Sequence, residues 1–172
     1  MIIKKITYCF ILISVIANAQ IDVFEIARHG SEEGMRQIFD NYPKSINNIN
    51  SSGFTPLTIA CYNNNFDVAK FLALRVLDIN VNSDVGTPLM AAVYKNNVQI
   101  AKMLIEEGAR VNLSDPNGTT ALHYAVQFKS VDLIKLLIDN DADITIKDNK
   151  DLSPWDYALL NSDENILKIL KK

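Results

Sequence analysis

The sequence predicts an all-α solenoid of five helix-turn-helix units with hairpin-like fingers between them, the terminal units acting as caps. Three observations predict it. Thr55-Pro56-Leu57, Thr87-Pro88-Leu89, Thr120-Ala121-Leu122 and Ser153-Pro154-Trp155 recur at spacings of 32, 33 and 33 residues. Ala60, Ala92, Ala125 and Ala158 each follow three residues after the Leu or Trp, and Ala27 stands 33 residues before Ala60. A second segment keeps the same register, and turn-rich stretches separate the units. Repetition at a fixed period of this length is the signature of stacked supersecondary units.

The first helix of each unit is legible from its start. Thr or Ser supplies an oxygen to the orphan N–H groups of a helix N-terminus, and proline is pre-set for the first helical position. The second helix is legible from its stripe. Val68-Ala69-Lys70-Phe71-Leu72, Ile100-Ala101-Lys102-Met103-Leu104, Leu133-Ile134-Lys135-Leu136-Leu137 and Ile166-Leu167-Lys168-Ile169-Leu170 place apolar residues at i, i+3 and i+4 around a solvent-facing lysine. Met35-Arg36-Gln37-Ile38-Phe39 is the same segment in the first unit. Asn50-Ser51-Ser52-Gly53 and Asp115-Pro116-Asn117-Gly118 favour reversals and positive φ, so they form the fingers. The units run over about residues 22–50, 51–82, 83–114, 115–147 and 148–172.

At Thr120-Ala121-Leu122-His123-Tyr124-Ala125, and at Leu104-Ile105-Glu106-Glu107-Gly108-Ala109-Arg110-Val111-Asn112, the chain resembles the ankyrin-repeat family. That family's unit of about 33 residues is a turn and two antiparallel helices carrying T-P-L-H-x-A. The resemblance covers about residues 22–172. Two departures stand out. The glycine after the second helix survives only as Gly108 and gives way to Pro43, Val76 and Asp141. Valine does not readily adopt the left-handed conformation, so the turn near Val76 is expected to differ. The finger from Asn80 to Thr87 is one residue shorter than its neighbours, so its tip is expected to bend differently.

Residues 1–19 read separately. Lys4 and Lys5, an apolar run over Ile6–Ile16 and Ala17-Asn18-Ala19 form the three parts of a secretory signal peptide cleaved after Ala19. A run of about 11 residues is short against the ~20 needed to span a bilayer, so the mature chain, residues 20–172, is expected to be free of the membrane and periplasmic or secreted. Losing two lysines and no acids takes the formal charge from −3 to −5. One cysteine, Cys61, remains and cannot form an intramolecular disulfide. No long basic run supports nucleic acid as a partner.

Chemistry finds little purchase. Asp139-Asn140-Asp141-Ala142-Asp143 opens like a calcium loop, but Ile144 and Lys150 occupy the places of the required glycine and glutamate. His29 and His123 are the only histidines, and no nucleophile, base and orienting group assemble around either. The expectation is no catalytic residue, no cofactor and no metal. Cys61 reads as a buried thiol, Trp155 as core in the place of leucine, and Asn50, Asn112 and Asn117 as bare matches to the glycosylation pattern.

The resemblance implies that His123 braces a finger by bonding backbone. It also implies that partners are bound by the fingers and by three places on each first helix: the residue before the conserved alanine and a pair beginning two after it. Those places hold Ile59, Tyr62 and Asn63; Ala91, Tyr94 and Lys95; Tyr124, Gln127 and Phe128; Tyr157, Leu160 and Asn161. An aromatic falls in every set, and exposed Tyr and Phe are effective interface anchors. The competing role is packing against the neighbouring finger. The expected function is a monomeric, exported, non-catalytic module that binds a protein partner on its concave face and fingers. An inhibitor, an immunity-type or protective partner of an envelope enzyme, a self-associating envelope component and, least, an enzyme are the alternatives.

Overall fold

The structure, a computed structural model, describes residues 22–171, and the leader expected at residues 1–19 lies outside them. Five helix pairs follow one another: α1 (Val23–His29) with α2 (Glu32–Asn41), α3 (Pro56–Tyr62) with α4 (Phe66–Ala73), α5 (Pro88–Tyr94) with α6 (Val98–Glu106), α7 (Ala121–Gln127) with α8 (Val131–Ile138), and α9 (Pro154–Leu160) with α10 (Glu164–Leu170). A 3₁₀ turn, Pro43–Asn47, follows α2.

Each first helix begins as its sequence dictates. Thr55, Thr87, Thr120 and Ser153 are extended, and each side chain accepts from the N–H three residues on. The first unit lacks that motif, and Asp22 caps α1 instead by accepting from Phe24. The repeated alanines are fully buried. Their carbonyls accept from the start of the second helix: Asn65 N to Ala60 O, Asn97 N to Ala92 O and Ser130 N to Ala125 O, each at 2.9 Å. A side chain larger than methyl there would push the two helices apart.

That closure forces the preceding residue into the left-handed region, at φ 59° for Asn64, 55° for Asn96, 56° for Lys129 and 50° for Ser162. None of the four is glycine, and neighbouring units hold the turns in place. Asn97 Nδ2 donates to Asn64 Oδ1 at 3.0 Å, Ser130 Oγ to Asn96 Oδ1 at 2.5 Å, and Lys129 pairs with Asp163 at 3.7 Å. At the opposite edge, Asn47, Asn80 and Asn112 accept from the backbone N–H of Leu77, Arg110 and Asp143, 30 or so residues on, at 2.7–2.8 Å. Two polar seams therefore staple successive units outside the apolar core.

Both departures from the repeat take the form expected of them. Gly108 and Asp141 turn with φ of 95° and 62°, whereas no residue between 74 and 79 has positive φ. Arg75 and Val76 both donate to Leu72 O instead. Val76 packs on the core, and Leu77 is turned out to 91% exposure. Three fingers close across five residues, with Asn50 donating to Phe54 O, Asp115 to Thr119 O and Asp148 to Leu152 O at 2.9–3.0 Å. The shortened one closes across four, Ser83 to Gly86.

Trp155 packs against the core as expected, though less completely than its counterparts. Leu57, Leu89 and Leu122 at its place are buried, but Trp155 is only half-buried, because no described unit covers its outer side.

Candidate functional site

The first helices line one side of the stack and bring a run of rings to its surface. Tyr62 at the end of α3 stacks on Tyr94 at the end of α5, with centroids 6.0 Å apart and planes at 18°. Tyr94 meets Phe128 edge-to-face at 5.4 Å and Tyr124 at 5.8 Å. Tyr62, Tyr94 and Phe128 remain 41%, 48% and 49% exposed. Lys95 lies with its ammonium 4.8 Å from the centre of the Tyr62 ring, a cation–π contact. The three units thus form one continuous aromatic ladder.

The rest of the expected strip divides. Gln127 and Asn161 are exposed, and Asn63 is exposed but donates to Ile59 O at 2.8 Å, closing its own helix. Ile59, at 4% exposure, packs chiefly in the core and only borders a surface hollow beside Tyr62 and Asn63. Ala91 is buried as well. Tyr157 is drawn inward against His123, 5.9 Å away, while Leu160 is exposed at the end of the stack, away from the ladder.

The fingers add residues that the helix pattern alone did not single out. Phe54, Val85 and Met90 join Tyr62, Tyr94 and Tyr124 around a hollow of about 180 Å³. Arg28, Asn50 and Ser52 join Phe54, Tyr62 and Asn63 around a second, of about 240 Å³. Phe54 lines both. Its signal was its place, one residue before the Thr55 cap, where the finger must fold back onto the first helix.

Two carboxylates hold the fingers. Asp115 Oδ1 accepts from the N–H of Asn117 and Thr119, and Asp148 Oδ1 from those of Lys150 and Leu152. Their second oxygens accept from Tyr124 at 3.1 Å and Tyr157 at 2.6 Å. Burial, together with the charge and hydrogen bond of Asp115, pushes the Tyr124 hydroxyl up to about 12. The hydrogen bond to Asp148, with burial, does the same for Tyr157, also to about 12. Burial works against the Asp148 carboxylate, but the donors from Tyr157, Leu152 and Lys150 outweigh it and hold the group below its ordinary range. Both hydroxyls therefore stay protonated near neutral pH and keep donating to their carboxylates.

His123 is fully buried, its Nδ1 accepting from Thr120 N at 3.0 Å and its Nε2 lying 3.1 Å from Leu152 O. With Nδ1 as acceptor, the ring proton sits on Nε2 and is donated to Leu152. The histidine therefore braces the finger of the following unit. Burial lowers its pKa, opposed by the Leu152 carbonyl and the two carboxylates. Burial likewise pushes the Cys61 thiol far up, away from thiolate. His29 is exposed at the end of α1. Among the described residues no three His, Cys, Asp or Glu side chains gather to hold a metal, and no helix is long and apolar enough to cross a membrane.

Compared with known protein families, residues 23–73 match the description "Ankyrin repeats (many copies)" and residues 75–148 match "Ankyrin repeats (3 copies)". The chain belongs to the ankyrin-repeat family. No curated protein matches it. The ankyrin repeats account for its buried histidine, its alanines and its capping threonines as architecture, and an ankyrin array is generally a module for protein–protein interaction. What the repeat does not require is the exposed ladder.

Proposed function

We propose that this ankyrin-repeat protein is an exported, non-catalytic module that holds a partner protein against its concave face and fingers, with Tyr62, Tyr94 and Phe128 as anchors. The observation that carries the reading is the ladder itself. Three large rings stay about half-exposed in consecutive units while touching one another. Rings already packed together lose little side-chain freedom when a partner covers them, and they bury a large area per residue. Export rests on the leader pattern of residues 1–19, which supports a mature chain that works in the periplasm or outside the cell.

The test is affinity capture from native envelope extract, with the parent chain beside a folded Tyr94→Ala/Phe128→Ala variant and mass spectrometry of what is held. A partner retained by the parent and lost by the variant supports the reading. A partner held equally by both places binding elsewhere and sinks it.

A further inference from the structure

The two hollows beside the ladder differ in chemistry. The one of about 240 Å³ lies toward the first unit and is lined by Arg28, Asn50, Ser52 and Asn63. The one of about 180 Å³ lies toward the fourth and is lined by Val85, Met90, Tyr94 and Tyr124. Phe54 and Tyr62 line both and form a common wall. Pockets for whole small molecules usually enclose about 300–1,000 Å³, so each hollow has room for a single side chain. A segment of a partner protein delivers side chains in that form, and the inference rests on the proposed reading that the ladder binds a protein.

The first hollow is rich in donors. Asn50 Oδ1 accepts from Ser52 N and Phe54 N at 2.9 and 3.0 Å, so its NH2 group is the end left to offer a ligand. Arg28 is half-buried and pairs with Glu25, but a guanidinium carries five N–H donors and an exposed pair of this kind is weak. Lys95 brings a second cation to the wall, 4.8 Å from the centre of the Tyr62 ring. Among the described residues no charged side chain lines the second hollow, and the exposed Asp84 stands next to Val85 at its edge. A partner's carboxylate is therefore drawn to the Arg28 end and repelled from the other.

The wall sets the spacing. Groups packed on the two sides of one ring stand about 7–8 Å apart, at about 3.5–4 Å from carbon to carbon on each side. Side chains i and i+2 of an extended chain project from one face about 6.5–7 Å apart, whereas adjacent ones point to opposite faces. We propose that the ladder reads an extended segment of its partner in which an acidic residue and a large apolar residue lie two positions apart. The carboxylate meets Arg28 and Asn50, and the apolar side chain enters among Val85, Met90 and Tyr94. The chain as a whole is acidic, at −3, so bulk charge alone would attract a basic partner. The charges at the hollows select the opposite sign.

The probes are labelled glycine-serine peptides with blocked ends, titrated with the protein in its native form and read by fluorescence anisotropy. One carries phenylalanine and glutamate two positions apart. In the others glutamine or lysine replaces the glutamate, or phenylalanine and glutamate are adjacent. The first is expected to bind about tenfold tighter than the glutamine peptide and tighter still than the lysine peptide, with the preference shrinking as salt rises. Arg28→Gln is expected to bring the glutamate peptide to the affinity of the glutamine peptide and leave the latter unchanged. Arg28→Lys, which keeps the charge, is expected to retain the preference, and it replaces the first variant should circular dichroism show lost helix there. Val85→Ser is expected to weaken every peptide. Equal binding of the glutamate and glutamine peptides overturns the proposal, as does tighter binding of the lysine peptide, equal binding of the adjacent pair, or no binding of any. A captured partner that Arg28→Gln holds as tightly as the parent, but that Tyr94→Ala/Phe128→Ala loses, overturns this inference alone and leaves the ladder as the binding site.

Discussion

The Tyr157 hydroxyl donates to Asp148 Oδ2 at 2.6 Å, and the same bond recurs one unit earlier between Tyr124 and Asp115. Tyrosine and aspartate occur together at these two places in the fourth and fifth units. The second and third units have Ile59 with Asn50 and Ala91 with Ser83. Each carboxylate is also the acceptor that folds its finger, so the tyrosine ties finger to helix. The second and third fingers lack that tie, and the ladder rings Tyr62 and Tyr94 lie beside them.

Tyr124→Phe removes one donor from a carboxylate that keeps two backbone donors. A hydrogen bond to a charged group is worth about 1.5–3 kcal/mol, and partial exposure of the ring reduces that here. The expected loss is about 1 kcal/mol in urea unfolding. A double-mutant cycle with Asp115→Asn should return a coupling of that size, and independent effects of the two substitutions would refute the pairing.

The repeat, its caps and its buried alanines were legible in the sequence because each is a local rule repeated in register. Thr55, Thr87 and Thr120 needed no knowledge of distant residues. The binding strip was legible only in part, because solvent exposure depends on what the neighbouring unit contributes. Ile59 and Tyr124 share one repeat position, yet Ile59 is buried and Tyr124 is half-buried with its hydroxyl committed to Asp115. The asparagine seams were missed altogether. They join residues 29–34 apart in sequence, and asparagine carries no periodic apolar signal.

His123 makes stability depend on pH in a direction that its surroundings fix. Its pKa is lowered from 6.5 in the folded chain, so the unfolded chain takes up the proton first as pH falls. The stability it contributes is complete above about pH 7.5, declines below 6.5, and levels off once the folded ring is protonated. Urea unfolding at pH values from about 5 to about 8, in steps of about half a unit, should show that decline. His123→Thr, which gives the fourth unit the residue the second carries at Thr58, should flatten it. An unchanged slope in the variant would assign the dependence to other groups.

Asn112 holds two units with one amide. Its Oδ1 accepts from Asp143 N and its Nδ2 donates to Asp141 O, both at 2.8 Å. Asn112→Ala removes both bonds at an exposed edge, so a loss of about 1–2 kcal/mol is expected at about 0.5–1.5 kcal/mol per bond. Amide exchange offers a sharper check. The N–H of Asp143 should lose protection in the variant while that of Arg110, held by Asn80, keeps it. Loss of protection at both would mean that the seam acts as a single cooperative unit.

Gly108 and Gly118 both have positive φ, 95° and 75°, but they are not equally replaceable. A Cβ at Gly108 would meet nothing within 4 Å. Gly108→Ala therefore carries only the left-handed strain of about 1–2 kcal/mol, partly offset by about 0.4–1 kcal/mol from a stiffer unfolded chain. At Gly118 the same atom would lie 2.9 Å from Asp148 Cα and 3.1 Å from Asn149 N. Those are backbone atoms of the next finger, which bonds back through Asn149 N to Asn117 O at 2.9 Å, so neither side can yield without breaking the contact between fingers. Overpacking of that kind adds about 1–3 kcal/mol. Thermal unfolding of the two alanine variants should place Gly118→Ala clearly below Gly108→Ala. Equal losses would mean that the fourth and fifth fingers part easily, and that their close approach contributes little to the stiffness of the array.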